Sequence, residues 1–230
     1  RSSDARRDQL LDFTRCWLDN SHTWPVILGE SPEGPFNRAA ALNDAARRAG
    51  DWDYAVVYDA DTVVPARQLT GALQMAQVTG RATYAFSSVV ELGQGCTDDL
   101  LGGEDLTLDA LRIEKIRTEP LQVQSSALVV PRAVWDTVGG FDEQFRGWGG
   151  EDNAFHHAVS VCCGAPGRIP GHAFHLWHEP GRPRHDDPDY RRNQLRWQAY
   201  KAARTPERIK ALTSSSIPPF LRPSHLATPK

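Results

Sequence analysis

The chain has 230 residues, 40% of them apolar and 24% charged, and a net charge of −3. That length suits one large domain, or one domain with a tail, and the charge balance excludes a basic field for holding nucleic acid or an anionic membrane surface. The apolar runs, such as "AVVY" and "ALVVP", are strand-sized and far short of the roughly 20 residues of a membrane span; no signal-peptide pattern is visible at the start.

In chain order, "RRDQLLDFTRCWLDN" places Leu10, Phe13 or Thr14, and Trp17 at helical spacing and predicts a first helix. "WPVILGE" predicts a short buried strand between Pro and Gly. "FNRAAALNDAARRAG" is an Ala-rich helix stopped by Gly50. "WDYAVVYDAD" is a strand running into acidic residues. Pro65 to Thr79 is a helix, with Pro65 near its first turn and Gly80 after it. "ATYAFSSVVEL" predicts one strand. Residues 93–120 are Gly- and Asp-rich, then charged, and read as an irregular insertion. "QSSALVVP" is a strand, "RAVWDTVGG" a short helix, "EDNAFHHAVSVCCG" a longer helix, and "RIPGHAFHLWH" a strand ending in histidines. "DPDYRRNQLRWQAYKAAR" and "PERIKAL" predict surface helices. Residues 213–230 are rich in Ser and Pro and read as an extended or disordered tail after a domain spanning 1–212.

Strands alternating with helices predict an α/β fold with a mostly parallel sheet flanked by helices. Ligands of such sheets bind beyond the carboxyl ends of strands. The chain opens on a helix, where a sheet of this kind opens on a strand. The four cysteines, Cys16, Cys96, Cys162 and Cys163, contain no CxxC pair. They read as reduced structural thiols of a cytoplasmic protein.

Three segments carry chemistry. Asp59 and Asp61 follow a strand, and while the strand persists residues i and i+2 share a side. They form either an Asx-type turn that caps the next helix or a pair of hard oxygen donors for Mg²⁺ or Mn²⁺. His172, His175 and His178 lie in "GHAFHLWHEP"; on a continuous strand His172 and His178 share one side and His175 faces the other. They are either structural or metal ligands, and an imidazole in the donor set favours Mn²⁺ over Mg²⁺. In "RGWGGEDN", Glu151 and Asp152 open a helix, whose dipole accounts for carboxylates there. It does not account for Trp148, Gly149 and Gly150. Two glycines allow a hinged loop on which Trp covers a ligand, with a carboxylate at its base to take a proton from an acceptor hydroxyl.

These segments, in this order, resemble the GT-A fold of nucleotide-sugar glycosyltransferases, closest to β-1,4-galactosyltransferases and bacterial chondroitin-type polymerases. "FNRAAALNDA" is similar to their "FNRAxLLN" segment, "YDADTVVP" to their DxD strand end, "VGGFDEQFRGWGGEDN" to "GGxxxxFxGWGGEDxD", and "WHEPG" to the metal-histidine segment of the polymerases. The resemblance covers roughly residues 1–185 and leaves 93–120 unmatched. It implies a Rossmann-like, mostly parallel central sheet, whose first strand would lie upstream of this chain's first residue. It implies a UDP-sugar donor, a carbohydrate or protein acceptor, and Mn²⁺ or Mg²⁺, with no part for nucleic acid. By position, Arg1 would lie near the nucleotide. Phe36 and Arg38 would contact the uracil and the diphosphate. Asp59 would bind the ribose or donor sugar, and Asp61 and His178 would bind the metal. Trp148, Gly149 and Gly150 would form the mobile donor loop, Glu151 would hold sugar hydroxyls, and Asp152 would be the base of an inverting transfer. Arg182, Arg184 and His185 would cover the diphosphate, unless they are simply solvated. The family's third acid after "GGED" is Asn153 here, which leaves the acceptor open. The alternatives are a retaining polypeptide GalNAc-transferase-like enzyme, which would not need Asp152, a nucleotidyltransferase, and a non-catalytic sugar-binding module.

Overall fold

A computed structural model describes residues 4–103, 113–118, 123–124, 126–179 and 187–213. Among them the chain forms two compact units. The first comprises Arg1–Leu28, Ala49–Arg132 and Pro166–Gly181; the second comprises Gly29–Arg48, Ala133–Ala165 and Arg182–Lys230.

In the first unit, α1 (Ala5–Ser21) is capped by the Asp4 side chain, which accepts from the Arg6 N–H. This satisfies one of the orphan donors of the first turn. β1 (Tyr54–Val57) and β2 (Thr62–Val63) bracket the acidic turn. α3 (Ala66–Thr79) begins after Pro65 and ends at Gly80, which takes the left-handed conformation at φ 67°. β3 (Thr83–Tyr84) and β4 (Ser88–Leu92) follow, then α4 (Gln94–Leu101), β5 (Ile113–Arg117), β6 (Leu128–Pro131), β7 (Gly167–Arg168) and β8 (His172–His175). The strands form two four-stranded mixed sheets, ordered β1-β6-β3-β7 and β2-β8-β4-β5. α3 packs on the first sheet.

The fold is thus mixed α/β, but the expected mostly parallel central sheet is not what forms. β6 runs antiparallel to both β1 and β3, β2 to β8, and β5 to β4; β3–β7 and β4–β8 are the parallel pairs. Inferring parallel strands from βαβ alternation requires consecutive strands to be sheet neighbours. Here β1 instead pairs with β6, from much later in the chain.

Other expectations are also corrected. "WPVILGE" forms no strand, and Ile27 and Leu28 are exposed. "ATYAFSSVVEL" breaks after Tyr84, so β3 and β4 enter different sheets. The 93–120 stretch contains α4 and β5.

The core beside the second sheet gathers Leu10 of α1, Val63, Val90, Leu92, Cys96, Leu100, Phe174 and Leu176. Each large aliphatic side chain buried this way contributes about 1.5–3 kcal/mol. α1 also fastens the acidic turn. Thr14 Oγ1 donates to the Ala60 carbonyl at 2.8 Å, and Trp17 Nε1 donates to the Val64 carbonyl at 3.2 Å.

The second unit contains α2 (Arg38–Arg48), α5 (Arg132–Val138, from its second residue), α6 (Glu151–Cys163), α7 (Pro188–Ala202) and α8 (Pro206–Thr213). Phe141 and Phe155 stack at 4.0 Å between centroids, and Trp135 lies 5.8 Å from each. α7 is more than a surface helix, since it buries Asn193, Arg196, Ala199 and Tyr200. Thr213 closes α8; the remainder of the expected tail lies outside the described residues. Among the described residues no helix is long and apolar enough to cross a membrane.

Candidate active site

In the first unit, the turn after β1 presents Asp61. Tyr58 closes this turn by accepting the Val64 N–H at 3.0 Å. β2 begins directly after Asp61 and pairs with the end of β8, Thr62 opposite His175. The Leu176 N–H donates to the Asp61 carbonyl at 2.8 Å, so the chain leaving β8 is tied to the aspartate itself. Asp61, His175 and His178 each offer one ligand atom, and these atoms lie within 4.8 Å of one another. His178 Nε2 is 3.2 Å from Asp61 Oδ2, and His175 Nε2 is 3.8 Å from Oδ1. Both rings have their other nitrogen engaged. His175 Nδ1 donates to Glu91 Oε2 at 2.7 Å, and His178 Nδ1 donates to the Glu179 carbonyl at 2.9 Å. Bonds of this kind orient each ring so that Nε2 faces Asp61. One carboxylate oxygen and two imidazole nitrogens suit a divalent transition ion better than Mg²⁺. The donor set therefore fits Mn²⁺.

Burial alone would raise the Asp61 pKa. The hydrogen bond from His178 and the positive charges of His175, His178 and Arg7 outweigh burial and hold the carboxyl at about 2. Burial would lower the His175 pKa, but the Glu91 hydrogen bond and the charges of Asp61 and Glu91 raise it. For Glu91, burial pushes up, and the bond and charge of His175 together with Arg117 bring the net shift down.

Two expectations change here. His175, expected to face away from His178, shares its cluster. β8 ends at His175, so the alternation argument fails one residue later, and the turning chain brings the two rings to 5.3 Å between centroids. Asp59 is not part of the ligand group. β1 stops at Val57, so Asp59 and Asp61 do not share a strand face. The Asp59 backbone N–H donates to Ser126 Oγ at 2.8 Å. His172 turns to Ser88, with Nδ1 2.6 Å from its Oγ.

In the second unit, Glu151 and Asp152 form the first turn of α6, preceded by Gly150 in the left-handed region at φ 102°. Arg38, the first residue of α2, places Nη1 2.5 Å from Asp152 Oδ1 and 3.9 Å from Glu151 Oε1. Phe36 is 63% exposed, and its carbonyl accepts the Gly147 N–H at 2.9 Å. Trp148 is 57% exposed, 6.0 Å from the Tyr190 ring. The backbone of this loop is fastened by Asn193 of α7. Its Nδ2 donates to the carbonyls of Arg146 (2.8 Å) and Trp148 (3.1 Å), and its Oδ1 accepts the Arg146 N–H at 3.2 Å. The unit thus brings together Phe36, Arg38, Trp148, Gly149, Gly150, Glu151 and Asp152. Arg1, Arg182, Arg184 and His185 lie outside the described residues.

The sequence reading missed Asn193, Glu91 and Arg117. Asn193 carries no local signal, because it sits within a charged helix. Glu91 carries one: it is the single charge in the apolar run "SVVEL".

Residues 115–179 match the family model described as the N-terminal domain of galactosyltransferase. The matched stretch contains the "GWGGED" segment and ends just past His178. It begins at residue 115, inside the region that the motif resemblance left unmatched. No curated protein matches the chain. The family match supports a galactosyltransferase-like glycosyltransferase, in keeping with the resemblance drawn from the motifs. An enzyme of that class takes a sugar donor and an acceptor.

Proposed function

We propose that the chain is a metal-dependent glycosyltransferase that moves a sugar from a UDP-sugar to a hydroxyl of a carbohydrate or protein acceptor, with inversion. The observation that carries this reading is the convergence of the Asp61, His175 and His178 ligand atoms within 4.8 Å, in a chain with a galactosyltransferase-type match. Asp61, His175 and His178 hold the cation, Mn²⁺ in preference to Mg²⁺. When bound, it supplies Lewis-acid stabilisation of the charge on the departing diphosphate.

The protein's own groups do the rest. Arg38 binds diphosphate oxygens, and Phe36 offers an exposed ring for the uracil. Asp59 holds the ribose or donor sugar. Trp148, Gly149 and Gly150 form the loop over the donor, and Glu151 orients sugar hydroxyls. Asp152 takes the proton of the acceptor hydroxyl as its oxygen bonds to the anomeric carbon; the bond from that carbon to the phosphate oxygen breaks, and its electron pair leaves with UDP. Attack from the face opposite the leaving group inverts the centre. The four free thiols support a reducing, cytoplasmic setting.

The test is to incubate the protein with α-linked UDP-sugars and a panel of saccharide acceptors, with and without Mn²⁺, and to read UDP release and product configuration by NMR. A Mn²⁺-dependent β-linked product is expected. A retained α-linkage would remove Asp152 from its role, and equal turnover in EDTA would remove the metal.

A further inference from the structure

We propose that Glu91 is a positioning residue for the metal centre, holding His175 in its ligand orientation, and that Arg117 of β5 holds Glu91 in turn. The inference rests on the metal-site reading above and adds to it the layer behind the ligands. β4 and β8 run parallel with Glu91 in register with His175, so the ladder itself sets the two side chains side by side. β5 runs antiparallel on the other side of β4, with Arg117 opposite Val89. The β4–β5 register shifts between Glu91 and Leu92, and irregularities of that kind re-aim side chains.

Both Glu91 oxygens are committed. Oε2 accepts His175 Nδ1–H at 2.7 Å, and Oε1 forms an ion pair with Arg117, 2.6 Å from Nε but without the alignment of a hydrogen bond. A carboxylate bound this way serves from behind the imidazole and not as a ligand, and it stands outside the Asp61–His175–His178 group. Its bond fixes the ring rotation and the proton on Nδ1, and its charge strengthens Nε2 as a donor. The arginine balances that charge and stops the carboxylate from swinging towards the cation. The 93–120 stretch thereby joins the site, because β5 supplies the arginine that closes the relay.

The test is Mn²⁺ binding to the metal-stripped full chain, followed by EPR titration of free Mn²⁺ without any sugar substrate. Wild type is compared with Glu91→Ala, Glu91→Gln, His175→Ala, the Glu91→Ala/His175→Ala double variant and Asp61→Ala. Removing a partner behind a metal-bound histidine typically costs about 10–100-fold in metal affinity, and Glu91→Ala is expected to lose that much. In the His175→Ala background the same change is expected to cost almost nothing, because no ring remains to be held. A purely structural role would weaken binding equally in both backgrounds. Wild-type affinity in Glu91→Ala, or independent losses in the double variant, overturns the proposal while leaving the metal site intact. Equal Mn²⁺ binding by wild type and Asp61→Ala overturns the metal-site reading itself. Should circular dichroism show Glu91→Ala unfolded, the near-isosteric Glu91→Gln decides, with a smaller loss expected that again vanishes without His175.

Discussion

Asp152 has two neighbours with opposite demands: Arg38 at 2.5 Å and Glu151 beside it in the chain. In the proposed transfer Asp152 is the proton acceptor, and replacement by Asn keeps the shape and removes the basicity. Asp152→Asn is therefore expected to lower kcat by about 10²–10⁴-fold with little change in melting temperature, since the side chain is only partly buried. Turnover near wild type would favour the retaining alternative, which needs no base there. A second carboxylate does structural work. Asp142 and Arg196 are 5% and 4% exposed, paired at 2.5 Å, and Tyr200 donates its hydroxyl to the same Asp142 oxygen at 2.9 Å. Burial, and then the Asp142 charge, push the Tyr200 phenol above its ordinary value near 10. A folded-state pKa above the unfolded one contributes stability that is fully present below the unfolded value and is lost as pH rises past it. From about pH 9 to 11 the urea midpoint of the wild type should therefore fall more steeply than that of Tyr200→Phe. Parallel slopes would show that the phenol is not coupled to folding. The pair Asp61 and His178, 3.2 Å apart, is legible in the sequence because each follows a strand-like run. The Asp142–Arg196–Tyr200 group is not, because its members lie far apart in the chain and no local pattern marks a pairing of that kind.

In the second unit, α6 opens without a side-chain cap. Gly149 and Gly150 sit at φ 92° and 102°. A Cβ at Gly149 would meet nothing within 4 Å, whereas one at Gly150 would lie 2.8 Å from Cε1 of the buried Phe145. A residue with a Cβ in the left-handed region costs about 1–2 kcal/mol. Gly149→Ala should lose about that much. Gly150→Ala should lose clearly more, because the Phe145 ring must also move. Melting curves of the two variants check the order, and equal losses would show that Phe145 yields freely. The glycine pair reads in the sequence both as a place for backbone angles that other residues avoid and as a hinge; the left-handed approach to the helix meets the first reading. Asn193 fastens the loop with three hydrogen bonds. Elements with their own punctuation were legible: α3 (Ala66–Thr79) lies between Pro65 and Gly80, one residue short of the expected Pro65 start, and α1 follows its apolar spacing. Elements whose side-chain direction depends on where a strand stops were not, and His175 is the case in point.

At the scale of the whole molecule, local patterns identify strands but not their partners. "AVVY" and "ALVVP" read correctly as strands, yet nothing in either says that they pair with each other, antiparallel, with β2 to β5 lying between them in the chain. The pairing of β2 with β8 in the second sheet is equally long-range, and it brings Asp61 together with His175 and His178. A site assembled by tertiary structure in this way exists only in the folded state, so its occupancy must appear as stability of the chain. Anything that binds the folded form alone stabilises it by mass action, about 2.7 kcal/mol at a free concentration 100 times Kd. Mn²⁺ is therefore expected to raise the melting temperature by itself, and UDP to raise it further only when Mn²⁺ is present, since the diphosphate shares the cation. EDTA should reverse both shifts. Asp61→Ala should abolish them, whereas Asp152→Asn should keep them, because the base takes no part in holding the metal. Thermal-shift scans of the three proteins, with Mn²⁺ and UDP added singly and together, check this. Stabilisation by UDP that is indifferent to Mn²⁺ and to Asp61 would separate nucleotide binding from the Asp61–His175–His178 cluster.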